Sequence, residues 1–183
     1  MDIYKNKYLK YKQKYINLKN LLNGGDDKYD EICDFTKYKQ IGAGAEGTIY
    51  KINDKAYKVI PIRRPQLMGA WGIKLNGGGM LIEEFNRSCE NYKKASDLNL
   101  GPKFYGCYTC ENKGVIVMDY IDGITLDKLK EQNQSNYNTF TKIKEKYIQK
   151  LRENNIIPEG ILEDAHDANF ILSNEGRLYA IDF

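Results

Sequence analysis

Tyr38-Lys39-Gln40-Ile41-Gly42-Ala43-Gly44-Ala45-Glu46-Gly47-Thr48-Ile49-Tyr50-Lys51-Ile52 is the stretch that orders the rest of the 183-residue chain. Apolar residues alternate on either side of a knot of three glycines, which predicts a strand, a glycine-rich turn and a second strand. Asn53-Asp54-Lys55 supplies another turn. Ala56-Tyr57-Lys58-Val59-Ile60 then reads as a third strand, with a lysine held between apolar neighbours.

Gly42, Gly44 and Gly47 fit the spacing G-x-G-x-x-G. That spacing occurs in dinucleotide-binding folds and in the phosphate-covering loops of kinases. A dinucleotide loop must open a helix, whereas Gly47 leads into the strand-like Thr48-Ile49-Tyr50-Lys51-Ile52. Strand, glycine turn, strand, turn and a strand bearing Lys58 together resemble the protein-kinase-like superfamily. By that resemblance the backbone N–H groups of the Gly42–Gly47 turn cover the phosphates of ATP, and Lys58 neutralises the α and β phosphates.

The resemblance runs on through the last residue. Residues 61–80, with Arg63-Arg64-Pro65 and Gly77-Gly78-Gly79, show no clean period and read as a flexible insertion. A helix is predicted over 81–99, with Leu81, Phe85, Cys89 and Tyr92 on one face. The family places a glutamate on this helix against the strand lysine; Glu90 is the candidate, with Glu84 or Glu83 next. Residues 100–108 read as a fourth strand turning at Glu111-Asn112-Lys113-Gly114, and residues 115–123 resemble a fifth strand and hinge. The match makes Met118 the gatekeeper and sets the Asp119 carbonyl and the Ile121 N–H against the adenine edge.

A lysine-rich amphipathic helix over 140–155 turns Phe140, Ile143, Tyr147, Ile148 and Leu151 to one side. Ile161-Leu162-Glu163-Asp164-Ala165-His166-Asp167-Ala168-Asn169-Phe170-Ile171-Leu172 follows, in which Asp164 and Asn169 stand five apart, as in the kinase catalytic loop. A hairpin over 170–181 delivers Asp182-Phe183 where the family has Asp-Phe-Gly. The resemblance implies that Asp164 takes the proton of the acceptor hydroxyl and that Asn169 and Asp182 hold magnesium. Leu162 and Glu163 replace the usual His-Arg, which removes the arginine that pairs with a phosphorylated loop. His166, two after Asp164, is similar to the aminoglycoside and choline kinase branch and leans towards a small-molecule acceptor or an atypical protein kinase.

The expected fold is α+β and protein-kinase-like: an antiparallel small-lobe sheet with one helix over 26–120, then a hinge and partial helical lobe over 121–183. Ending at Asp-Phe, the chain reads as truncated before the later helices of the large lobe, leaving an apolar face for a partner chain to cover. The leading expectation is an ATP- and magnesium-dependent phosphotransferase acting on a protein or small-molecule hydroxyl. The alternative is an inactive pseudokinase, or a truncated nucleotide-binding or scaffold protein.

Composition bounds the rest. The formal net charge of +3 is uneven, because residues 1–22 carry six lysines against Asp2 and the remainder is slightly acidic. Tyr4, Tyr8, Tyr11, Tyr15, Leu18 and Leu22 form one helical stripe over a basic arm, 1–25, ended by Asn23-Gly24-Gly25. Docking on the body or on a second copy is the favoured reading of this arm; contact with nucleic acid or an anionic membrane is the alternative. Tyr/Lys/Asn-rich openings of this kind resemble proteins of large DNA viruses, which would place the chain in host cytoplasm. No apolar run reaches the roughly 18 residues of a membrane span. Cys33, Cys89, Cys107 and Cys110 are too few and scattered for a disulfide scaffold, which fits a reducing, intracellular compartment. Cys107-Tyr108-Thr109-Cys110 has no second pair to complete a zinc site and reads as strand.

Overall fold

Strand alternation sets Ala56, Lys58 and Ile60 on one face of a central strand and Tyr57 and Val59 on the other. All five are buried. The computed structural model describes residues 30–44, 46–63, 79–157 and 166–182, and all of the architecture below lies in the unit Ile32–Phe183. The basic arm over 1–25 and most of the insertion over 61–80 lie outside the described residues.

The central strand is β3 (Lys55–Arg63), flanked by β1 (Lys39–Ala43) and β2 (Thr48–Ile52) on one side and by β6 (Lys113–Asp119) and β5 (Phe104–Cys110) on the other. These pairings are antiparallel, with Lys58 opposite Ile49 in β2 and Ile116 in β6. The two-residue β4 (Met80–Leu81) adds to the end of β3 in parallel, opposite Ile62 and Arg63.

Helix α1 (Ile82–Asp97) covers the Lys58 face. Phe85, Ser88, Tyr92 and Ala95 recur at three- and four-residue steps and are its buried residues. Phe85, Tyr92, Ala56, Ile60, Ile116 and Met118 form one cluster, with Cys89 and Cys107 packed at its margin. Gly114 is required here, because a Cβ at that position would stand 2.5 Å from the Phe85 ring. Burial of Phe85 contributes about 1.5–3 kcal/mol before entropy is counted. The helix starts with the Leu81 N–H donating to the Glu84 carboxylate at 2.8 Å. It ends at Asn99, whose φ of 57° turns the chain so that the Leu100 N–H reaches the Ala95 carbonyl.

The opposite face of the sheet is closed by the segment before β1. Phe35 is buried with its ring 5.0 Å from Tyr50 and 6.1 Å from Tyr57. Tyr108 donates its hydroxyl to the Ile32 carbonyl at 2.7 Å.

The cysteine expectation is corrected here. All four pair, Cys33 with Cys110 and Cys89 with Cys107. Cys107 and Cys110 stand three apart on β5, so they point to opposite faces of the sheet and cannot pair with each other. Cys107 meets α1, whereas Cys110, on the same face as Tyr108, meets the segment before β1. Counting and spacing along the chain carry no trace of this, and the cysteines therefore give no argument for a reducing compartment.

After β6, β7 (Gly123–Thr125) leads into α2 (Leu126–Gln132) and α3 (Gln134–Glu153). The α3 helix begins six residues before the predicted helix, at an Asn133 cap whose side chain accepts the Asn136 N–H at 3.0 Å. A single 3₁₀ turn, Asp167–Asn169, opens the hairpin of β8 (Phe170–Ser173) and β9 (Leu178–Ala180), and β8 pairs with both β7 and β9. Leu126, Leu151, Phe170, Leu178 and Ala180 close a second core, which takes in Ala95 and Leu100 from the end of α1. Phe140, Ile143, Tyr147 and Ile148 pack on it, on the predicted side of α3. The fold is α+β with an antiparallel sheet, as expected. Among the described residues no helix is long and apolar enough to cross a membrane.

Candidate functional site

The α1 face of β3 buries one charge. Lys58 is 5% exposed at its side chain, set between Ala56 and Ile60 by the strand period. A buried ammonium is tolerated only with partners. Its Nζ donates to Glu46 Oε2 at 2.8 Å and to Asp182 Oδ1 in a shorter contact. Glu46 comes from the glycine turn and Asp182 from the residues just after β9, so the lysine joins the turn between β1 and β2 to the segment that follows β9. Burial alone would push the Lys58 pKa down. The neighbouring Tyr92 and the Asp182 carboxylate, with hydrogen bonds to Asp182 and Glu46, outweigh that and hold it well above the ordinary lysine value.

The glycine turn is tight, with the Gly44 N–H donating to the Gly47 carbonyl at 2.9 Å. Gly47 has a packing reason, since a Cβ there would stand 2.3 Å from the Val59 carbonyl oxygen. Gly44 has open space where its side chain would be, and Gly42 has ordinary contacts only. A cavity of about 450 Å³ lies against this turn, lined in part by Gly44, Glu46, Thr48 and Pro61.

Asn169 and Asp182 are brought together by backbone pairing. The Ile181 N–H donates to the Asn169 carbonyl at 2.8 Å, extending the β8–β9 register by one step. Asp182 adopts φ 71°, the left-handed region that an aspartate enters only at a cost of about 1 kcal/mol or more. The turn holding Asn169 is clamped to α3 by Asp167, which accepts from Tyr137 Oη at 2.8 Å and from Lys144 Nζ at 2.6 Å. Burial pushes the Asp167 carboxyl up, but the Lys144 and Tyr137 hydrogen bonds and the charge of Lys144 hold it below the ordinary carboxylate value. His166, in front of this turn, is exposed. Asp164 lies outside the described residues.

Met118 is buried beside Ala56, at the end of β6. The Asp119 side chain accepts from Tyr105 Oη at 2.6 Å and its N–H donates to the Lys103 carbonyl, while Ile121 is half-buried. Glu90 stands exposed on α1, and the Lys58 ammonium is engaged by Glu46 and Asp182 instead. Glu84 is spent on the helix cap and Glu83 is exposed. Sequence reading missed Glu46, although it is the one carboxylate inside the glycine turn. It placed Tyr92 on the packing face without seeing that this face is also the lysine's.

Among the described residues no cluster of three or more His, Cys, Asp or Glu side chains is placed to hold a metal ion by itself. A magnesium site of the expected kind needs no such cluster, because magnesium takes one or two protein ligands and completes its shell with phosphate oxygens and water. The half-exposed Asp182 carboxylate and the half-buried Asn169 fit that chemistry.

Residues 82–183, more than half of the chain, match the ABC1 atypical kinase-like domain. The chain belongs to that family. The match begins at α1 and takes in Met118, Asn169 and Asp182; the glycine turn and Lys58 precede it. The kinase-like resemblance of strands β1–β3 and the family match from α1 onward thus rest on different residues and agree. No curated protein matches the chain.

Proposed function

We propose that this chain binds ATP with magnesium and transfers the γ-phosphate to a hydroxyl of a protein or small molecule. The observation that carries the reading is the Lys58–Asp182 ion pair. A buried cation from the third strand and a strained aspartate 124 residues later have no packing reason to meet. In this reading Lys58 sits against the α and β phosphates, and the Gly44 backbone lies open to close approach. Asn169 and Asp182 hold magnesium, which supplies neutralisation of phosphate charge when bound. Met118 bounds the adenine end, with the Asp119 carbonyl and the Ile121 N–H as its hydrogen-bonding edge. Asp164 orients the acceptor and takes its proton. The work these residues do is positional and electrostatic.

A second reading, nucleotide binding without turnover, is favoured by the partners of Lys58. No carboxylate of α1 engages it, and a carboxylate of the phosphate-covering turn does.

A thermal-shift titration with ATP, with and without magnesium, tests the shared part. A magnesium-dependent rise that disappears in Lys58→Ala and Asp182→Asn is expected. No rise in a folded chain overturns both readings. Transfer of labelled γ-phosphate, abolished in Asp164→Asn, then separates the phosphotransferase from the silent binder.

A further inference from the structure

Tyr92 is 3% exposed, yet its position is more than packing. Its ring centroid lies 5.7 Å from Lys58 Nζ, inside the range of a cation–π contact. Its hydroxyl oxygen accepts the Asp182 backbone N–H at 3.2 Å. One side chain of α1 therefore touches both halves of the Lys58–Asp182 pair.

The acidic residues of α1 are all elsewhere. Glu83 and Glu90 are exposed, Glu84 caps the helix, and Asp97 pairs with Lys93 at 2.9 Å. The residue that α1 offers to the lysine is a phenol. Burial pushes the Tyr92 pKa up, and although the Lys58 charge pulls it down the net direction is up, so the side chain stays neutral. At neutral pH the phenol carries no charge to set against Lys58, so its effect on the site there is one of placement.

Asp182 needs placement. Its left-handed backbone is held by two consecutive bonds leading into it, the β8–β9 pairing of Ile181 with Asn169 and the bond from its own N–H to Tyr92. Without that acceptor the peptide before Asp182 is free to turn, and the carboxylate moves with it.

We propose that Tyr92 is a positioning residue that fixes the backbone of Asp182, and so its carboxylate, for magnesium bound with a nucleotide, while its ring sets the height of the Lys58 ammonium. This rests on the nucleotide reading above. Tyr92 thereby links helix α1 to the magnesium ligand, a coupling made by a hydrogen bond to backbone.

Tyr92→Phe in the full chain keeps the ring over Lys58 and removes the hydroxyl, and with it the acceptor for the Asp182 N–H and the bond to Lys58. The ATP-induced thermal shift without magnesium should stay within about twofold in ligand midpoint, whereas the magnesium midpoint at saturating ATP should rise about tenfold, the usual effect of losing a group that orients a metal ligand. Ser88→Ala, on the same buried face, is the control and should leave both midpoints in place. An unchanged magnesium midpoint in Tyr92→Phe overturns the proposal. So does an equal rise in Ser88→Ala, which would mean general loosening of α1. A wild-type chain with no magnesium-dependent response overturns the nucleotide reading, and the Tyr92 role with it. Should Tyr92→Phe fail to fold, amide exchange of Asp182 in the wild-type chain decides: protection supports the bond to Tyr92, and exchange at the rate of an open amide removes it.

Discussion

Lys58 and Asp182 are ion-paired across 124 residues of chain, the lysine buried and the aspartate 41% exposed. Removing the lysine leaves Asp182 and Glu46 facing each other with no cation between them. Because both carboxylates reach water, the cost is less than for a fully buried pair, about 1–3 kcal/mol. Lys58→Ala should lower urea stability by that amount and abolish the nucleotide shift. Its folded pKa is raised, so the contribution is whole below the ordinary lysine value of 10.5 and is lost only as pH rises through the higher folded value. Stability measured across neutral pH should show no slope from Lys58.

Glu46 is half-exposed and ion-paired with Lys58. In the proposed nucleotide-bound state it would compete with phosphate for that ammonium. Glu46→Gln should therefore tighten ATP binding about two- to fivefold, the range set by an exposed charge pair. Calorimetric titration reads this directly; weaker binding in the variant would instead make Glu46 a contributor to the bound state.

Asp167 gives the acid limb of the stability profile a named source. Its folded pKa is depressed, so its contribution is present above the ordinary value of 3.8 and is lost as pH falls through the folded one. Melting temperature against pH should fall more steeply in acid for the wild type than for Asp167→Asn. Parallel curves would assign the acid loss to other carboxylates.

The disulfides predict a strong response to a dithiol reductant. Cys33–Cys110 closes 77 residues and Cys89–Cys107 closes 18. Chain entropy alone gives about 4.5 and about 3 kcal/mol for loops of these lengths, and measured effects are often smaller. Reduction should lower the melting temperature, with Cys33→Ser costing more than Cys89→Ser. Thiol titration of the unfolded, unreduced chain should find no free thiol; four free thiols would refute both bridges.

How much of this was readable beforehand follows from what each feature depends on. The strands β1–β3, the glycine turn, α1, α3 and the β8–β9 hairpin are written in local periodicity, and the sequence located them closely except for the start of α3, which lies six residues earlier than expected. The short α2 was not seen, because seven residues with only Leu126 and Leu129 buried carry too little period to distinguish helix from loop. Motif order likewise named Lys58, Asn169 and Asp182, since spacing along the chain is a property of the chain itself.

Partnership is not. The choice of Glu46 over a glutamate of α1, the contact of Tyr92 with Asp182, and the pairing of Cys33 with Cys110 and Cys89 with Cys107 are set by which face meets which after the sheet and helix pack. A helix glutamate can face Lys58 only if the helix turns that face inward. Here Phe85 against Gly114 fixes the rotation of α1, and with it Tyr92 points to the lysine while Glu90 points to solvent. Sequence determined the elements and the order of their chemical groups; packing decided which groups touch, because a rotation of one helix changes every partner without changing a residue.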